Sequence, residues 1–515
     1  MSTRALRRLR GKQRGQEALD LGDLTLGDSS EEQAASEEDQ VDTANVSPPS
    51  NRKGSGQKGK KNKAQKNVSN LFELVGNLNP ETELKKYFGA RAVQGDQRPR
   101  QRNRQFHRST WMTSLKDSWP RYSRPGISMT LLQSKDGIQY FTFEHSRDYQ
   151  QVQFKFLDAV RSMDPNNIVV NNVNLLLILA EISELIKRAL YSFECAFHPL
   201  FSLTSGTSRL DYLRPENRAF YLALYKHVMF LEKRGCPRTA LEYCKLILSL
   251  DPESDPLCML LLIDFLMLRC REYQSLLQFY QDWEVKFTLC HRNLSQLPNF
   301  AFSTALCHFC LSQQEDVDHE ESNRQRHKAD QMLQNALIMF PGVLMPLLDL
   351  CTVQPDATVT SHAFFGPKSQ IGQPPALAEL TALYVGRTCS LWKETGVMLW
   401  LEESVKEVLR KVDDQDPLVD DCQNKRKQRY QSAPKNIHRH VLLSEIKEAI
   451  SSLPLEVTSQ PVMGFDPLPP QDSVISYTRP ERQHVGASNE STLSLFFRSL
   501  LPNFNFQVSC MDQLR

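Results

Sequence analysis

A mostly α-helical solenoid behind a disordered, charge-blocked N-terminal tail is the fold class this sequence predicts, and three features predict it. Apolar residues recur at helical spacing from about residue 149 to residue 412. Proline and glycine punctuate these runs where helices start and stop. The first 70 residues, by contrast, carry charge in blocks and have too little apolar surface to offset the entropy of ordering.

The tail, 1–70, runs from basic RALRRLRGKQR through acidic DSSEEQAASEED to basic RKGSGQKGKKNKAQK. Like charges in blocks repel and do not fold alone. Residues 71–148 form a mixed region rich in basic and aromatic residues and containing the arginine run RPRQRNR. Within it, WPRYSRPGISM and IQYFTFEHS predict loop with one or two short strands.

The solenoid, 149–412, rests on helical hairpins. Segment 216–234 places Phe220, Leu224, Val228 and Leu231 on one helical stripe, with Pro215 at the first-turn position and Gly235 past the end. A second helix starts at Pro237 and stops at Asp251-Pro252. Ala240 stands twelve residues before that proline, and Ala329 stands twelve before Pro341 in KADQMLQNALIMFPG, where Ala336 adds a second small residue. This is the tetratricopeptide (TPR) arrangement, in which a small residue lets two helices approach and a proline ends the second. Irregular spacing between weaker echoes, FLDAVRSMDP and ALYSFECAFHP, makes the array degenerate and TPR-like rather than regular. LEESVKEVLRKV closes the solenoid, and NIHRHVLLSEIKEAI continues the helical theme in a C-terminal region, 413–463. Residues 464–515 read as an extended proline-rich linker, GFDPLPPQDS, and a short apolar segment, TLSLFFRSLLP.

Twelve cysteines and a net charge of +2 exclude little by themselves. The cysteines form no tight disulfide framework, and the Arg-rich N-terminus has no apolar secretion core, which places the chain in the cytosol or nucleus. The most apolar run, LCMLLLIDFLML (257–268), is interrupted by Asp264 and is shorter than the roughly 20 residues of a membrane span. A soluble protein with no membrane partner is expected. Cys244 shares an apolar stripe with Leu241 and Leu248, and Cys236 sits at the turn, so both read as core or turn residues rather than a redox pair. A zinc site from Cys290, His291, Cys307 and Cys310 fits poorly: the first two are adjacent, and CHFC lies inside a helical run. GSGQKG (54–59) matches a dinucleotide fingerprint but lacks the flanking strand and helix. His438 and His440, two apart, point away from each other on a helix and read as surface residues. No nucleophile–base arrangement is present, so neither an enzyme nor a cofactor is expected.

The basic tracts are the strongest functional signal. Lys53, Lys58, Lys60, Lys61, Lys63 and Lys66 form one, and Arg98, Arg100, Arg102 and Arg104 alternate in the other. Such tracts neutralise phosphates by counterion release and bind nucleic acid with little regard for sequence. A nuclear-import address or a solvated tail is the plainer alternative. Phe106 and Trp111 nearby could stack on exposed bases.

Several long strings carry a resemblance: NPETELKKYFGARAV, RPRQR, WPRYSRPGISM, HPLFSLTSGTSRLDYLRPENRAFYLALY, GCPRTALEYCKLILSLDP and APKNIHRHVLLSEIKEAI, with RALRRLRG at the N-terminus. From about Asn79 to Asn503 the chain resembles the transcription factor 25 family, also described as nuclear localized protein. Its fungal relative is subunit one of the ribosome quality control complex. The resemblance implies a non-catalytic adaptor on the 60S ribosomal subunit, with rRNA under the basic tracts. Its implied protein partners are the ubiquitin ligase listerin and the valosin-containing ATPase. It also implies a rival role, a nuclear repressor acting on DNA or transcription factors, although no clean helix-loop-helix follows the basic tract. The chain departs from the family in a shorter N-terminal region, a shortened segment at 167–185, and a C-terminus, NFNFQVSCMDQLR, without an acidic tail. It reads as a shortened isoform or gene model.

Overall fold

The computed structural model describes residues 78–94, 112–113, 119, 126–161, 175–287, 293–315, 318–459 and 462–478. The chain divides into two units, Met1–Lys58 and Gly59–Arg515, and every described residue belongs to the second. The N-terminal tail and the final apolar segment lie outside the described residues.

The fold is mostly α. Helix α1 (Pro80–Gln94) precedes a hairpin of β1 (Ile127–Lys135) and β2 (Ile138–His145). Asp136 and Gly137 join these strands with φ of 52° and 79°, the left-handed pair that a two-residue hairpin turn requires. Helices α2 (Arg147–Arg161) and α3 (Leu175–Ala196) follow, and then β3 (Ser208–Leu210), which pairs parallel to β2. The expectation of strands in 105–150 was sound; β3 was not foreseen. Phe141 and Phe143 of β2 sit in an aromatic core, Phe143 being 5.1 Å from Phe193 of α3.

The first predicted hairpin is α4 (Pro215–Lys233) and α5 (Pro237–Leu250). Gly235 takes φ +79°, and the Cys236 N–H bonds the Leu231 carbonyl while the Gly235 N–H bonds that of Glu232. This is a Schellman turn, which satisfies carbonyls at the end of α4. Cys236 is therefore the residue just past a helix end, and it is buried. Ala240 and Cys244 are fully buried on α5, with the Cys244 thiol 3.9 Å from the Met259 carbonyl. Asp251, held before Pro252, leaves the helical region, as a residue preceding proline must.

A 3₁₀ turn at Met259–Leu261 leads into α6 (Ile263–Arg269), α7 (Tyr273–Phe287) and the second hairpin, α8 (Pro298–Ser312) with α9 (His319–Met339). Ala329 and Ala336 are buried, and α9 ends two residues before Pro341, as its sequence predicts. Short helices α10 (Leu344–Cys351), α11 (Ala357–Ser361) and α12 (Pro367–Ile371) precede α13 (Pro375–Trp392), α14 (Thr395–Asp413) and α15 (Pro417–Arg429). Arg426 of α15 donates to the Ile338 and Met339 carbonyls at the end of α9. The run NIHRHVLLSEIKEAI is two helices rather than one. Glu445, at φ +60°, separates α16 (Lys435–Ser444) from α17 (Lys447–Ser451), and α18 (Leu455–Thr458) follows. Among the described residues no single helix is long and apolar enough to cross a membrane. The run 257–268 is instead buried core.

Candidate functional site

The first turn of α4 is a junction. Pro215 opens the helix without needing a hydrogen-bond partner, and the next residues bind three different segments. The Asn217 amide accepts from the Phe143 N–H at 2.8 Å and donates to the Asp211 carbonyl at 2.8 Å, tying the sheet to the helix. Arg218, buried, donates from Nε to the Tyr212 carbonyl (3.1 Å) and from Nη1 to the Asp466 carboxylate (2.7 Å). Its Nη2 reaches Ser473, and Glu216 accepts from Ser476.

Asp466 and Ser473 belong to the proline-rich stretch, and Ser476 stands three residues past its end. The stretch is non-helical, as expected, but it runs through turns rather than fully extended, with Leu468 at φ +49°, and it is held as a strap along the helices. A second buried guanidinium holds it: Arg439 of α16 donates to the carbonyls of Pro467 (3.0 Å), Leu468 and Pro256 (2.6 Å). Both cations lie over the Tyr212 ring, Arg439 at 4.8 Å and Arg218 at 5.8 Å from its centre. Burial pushes the Tyr212 phenol up to about 12, with Arg439 opposing. Val474 donates to the Leu213 carbonyl (2.9 Å), and the Tyr477 hydroxyl meets His145 Nδ1 at 2.7 Å. Around both buried guanidinium groups, carbonyl dipoles, one carboxylate and an aromatic face thus take the place of water.

The histidines of α16 correct the surface expectation. They do point away from each other, yet the helix is covered on both sides. His438 Nδ1 lies 2.9 Å from Glu379 of α13. His440 is fully buried, with Nδ1 2.7 Å from the Leu257 carbonyl and Nε2 3.0 Å from Arg387. A carbonyl on one side and a cation on the other require a neutral ring carrying its proton on Nδ1. Accordingly, burial and then Arg387 push its pKa down to about 3.

Between α10 and α14 runs an apolar groove of about 130 Å³, floored by Leu344, Leu348, Leu401 and Val405 and rimmed by Asp356 and Lys406. Nothing in it pairs a nucleophile with a base. Elsewhere burial pushes the thiols of Cys244, Cys307 and Cys310 up and that of Cys270 to about 12, away from the reactive thiolate. Cys307 lies inside α8 and its thiol donates to the Tyr273 carbonyl at 3.1 Å, which accounts for it as a core residue.

The basic residues expected at rRNA, Lys53, Lys58, Lys60, Lys61, Lys63, Lys66, Arg98, Arg100, Arg102 and Arg104, lie outside the described residues. So do Phe106, Trp111, Cys290 and His291. Sequence reasoning missed Arg218, Arg439 and Asp466. Their signal was an arginine in each of two apolar helical runs and an aspartate in a proline-rich stretch.

A family model described as "Transcriptional repressor TCF25" matches residues 141–470, from within β2 to the strap. The chain belongs to the TCF25 family. The "Ribosome quality control complex subunit TCF25" of Mus musculus is 61% identical over 453 residues, covering 85% of this chain and 66% of the relative. That of Homo sapiens is 61% identical over 447 residues, covering 84% and 65%. The "Ribosome quality control complex subunit 1" of Schizosaccharomyces pombe is 27% identical over 416 residues, covering 77% and 57%. The chain spans about two thirds of the length of its mammalian TCF25 relatives. No solved structure matches it. The TCF25 match therefore takes in both hairpins, the junction at Arg218 and Arg439, and the start of the strap, and it leaves out both basic tracts.

Proposed function

We propose that this chain is a non-catalytic adaptor subunit of the ribosome quality control complex. It sits on the 60S subunit with its basic tracts, 53–66 and 98–104, against rRNA. There it supports listerin-dependent, degradation-type ubiquitination of stalled nascent chains ahead of extraction by the valosin-containing ATPase. It works in the cytosol, with a nuclear fraction. The observation that carries this is the name shared by its mouse, human and fission-yeast relatives, each a ribosome quality control complex subunit. Burial of the Cys244 and Cys307 thiols, which pushes their pKa up, supports the non-catalytic part, since a ubiquitin thioester needs a reactive cysteine. A protein without chemistry changes a ligase's product by positioning partners and so raising their effective concentration.

The test is a stalled-translation reaction reconstituted with listerin, with and without this chain, scored for ubiquitin linkage and chain length. Degradation-type chain growth rises with the adaptor present; identical products in both reactions overturn the proposal. A second reading, a nuclear DNA-associated repressor, is favoured by the family's description and by the "Probable transcription factor claV" of Ampulloclitocybe clavipes, 28% identical over 455 residues. It predicts altered promoter occupancy on depletion, with normal clearance of stalled chains.

A further inference from the structure

Helix α1 is docked through its first turns and exposed one turn further on. Glu83 and Leu84 are buried against the rest of the chain, Leu84 being 8% exposed. One turn later on the same faces stand Tyr87, 60% exposed, and Phe88, 67% exposed. A helix presents residues i and i+4 to the same side, so the surface that covers Glu83 and Leu84 ends before it reaches the two rings. Among the described residues this is the one adjacent pair of exposed aromatics, and neither ring lies against another. The other strongly exposed rings, Phe156 and Phe465, face each other at 5.3 Å. Lys86 beside them is exposed, and Lys85 pairs with Glu81 at 3.9 Å.

The charge that flanks the pair along the sequence selects its occupant. Residues 85–104 contain seven Lys/Arg and a single acidic residue, Asp96. An aliphatic docking face wants an apolar partner, whereas flat rings among cations suit a polyanion that carries flat faces of its own. In a duplex the base faces are stacked and hidden; in single-stranded RNA they are open. We propose that Lys86, Tyr87 and Phe88 form a binding surface for single-stranded RNA, the rings stacking on unpaired bases and the lysine pairing with the backbone. This rests on the RNA-contacting part of the adaptor reading and adds to it the single-strand preference and the residues that confer it.

The full chain is titrated against a fluorescent oligouridylate and against an RNA duplex of the same length, over a range of salt. Tyr87→Ser with Phe88→Ser weakens single-strand binding about tenfold or more, because each stacked base is worth roughly 1–3 kcal/mol. Duplex affinity stays within about twofold, and the salt slope is unchanged, since stacking releases no counterions. Tyr87→Trp with Phe88→Trp restores single-strand binding. A second variant, Lys60→Glu, Lys61→Glu and Lys63→Glu, flattens the salt slope and weakens both ligands. If the serine variant binds oligouridylate like the parent, or loses duplex equally, the stacking surface is overturned whatever the lysine variant does. If it retains RNA and loses listerin or anionic vesicles instead, the surface belongs to a protein or a membrane and the proposal fails. If only the lysine variant is silent, in RNA binding and in co-sedimentation with 60S subunits, the tracts fail and the stacking surface stands.

Discussion

The carboxylate of Glu83 caps α5 from a distance of 156 residues in sequence, accepting from the Thr239 N–H at 2.8 Å, the Thr239 hydroxyl at 2.6 Å and the Arg238 N–H at 3.0 Å. The residue before α5, Cys236, offers no side-chain cap of its own, and Pro237 has no N–H to satisfy. Arg238 and Thr239 therefore hold the first free donors of the helix, and a carboxylate there also meets the positive end of the helix dipole.

Replacing Glu83 by Ala leaves the Thr239 donors buried and unpaired and the Arg238 N–H without its acceptor. The expected loss is about 1–3 kcal/mol in urea unfolding, with Glu83→Gln losing less because one acceptor oxygen remains. An unchanged unfolding midpoint for Glu83→Ala refutes the cap.

Ala240 tests the hairpin itself. It is fully buried on α5, the helix that packs against α4. Ala240→Arg forces a long charged chain into that contact and costs about 2–4 kcal/mol, whereas Cys244→Ser, a hydroxyl beside the Met259 carbonyl, costs about 1–2 kcal/mol. A melting temperature unmoved by Ala240→Arg contradicts the close packing.

Much of this fold was legible because its signals are local. Prolines at 215 and 237, glycine at 235 and the apolar stripes fix both helices of the first hairpin within a residue or two, and the same logic places the end of α9. The Asp136-Gly137 turn was equally local, but went unread as the hairpin signal it is. Long-range pairings were not legible. Whether a histidine on α16 faces water depends on α13 and on the Leu257 loop, 183 residues away, which no spacing within the helix reveals. Likewise, proline content predicts an extended strap but not the buried arginines that hold it. The rRNA residues were read from charge alone, and they lie outside the described residues.

Arg439 is the hub of that strap, and it tests whether the strap is held or merely adjacent. Lysine keeps the charge but cannot reach three carbonyls in different directions. Arg439→Lys is expected to cost about 2–3 kcal/mol by leaving acceptors unpaired. The Val474 N–H, bonded to Leu213 at 2.9 Å, should then exchange with solvent much faster in hydrogen-exchange measurements. Parent-like protection at Val474 means the strap is held without Arg439.

The last expectation is a loss of stability in mild acid. His440 is neutral in the folded chain, its pKa pushed down to about 3 first by burial and then by Arg387; the Leu257 carbonyl opposes this weakly. His227, buried against Tyr243 at 4.8 Å, is pushed down to about 3 as well, by burial and then by Lys187 and Arg234. Unfolded, each titrates near 6.5. Between these values the unfolded chain binds protons that the folded chain refuses, so stability is intact above about pH 6.5 and falls as the pH drops toward 3. The slope is about 1.4 kcal/mol per pH unit for each histidine. His440→Gln separates them: its amide can donate to Leu257 and accept from Arg387, as the imidazole does, but it does not titrate. Between pH 7 and pH 5 the parent should lose about 2 kcal/mol more than this variant in urea unfolding. Equal losses in the parent and the variant would mean that His440 takes up its proton in the folded state, and that the neutral ring between Leu257 and Arg387 is wrong.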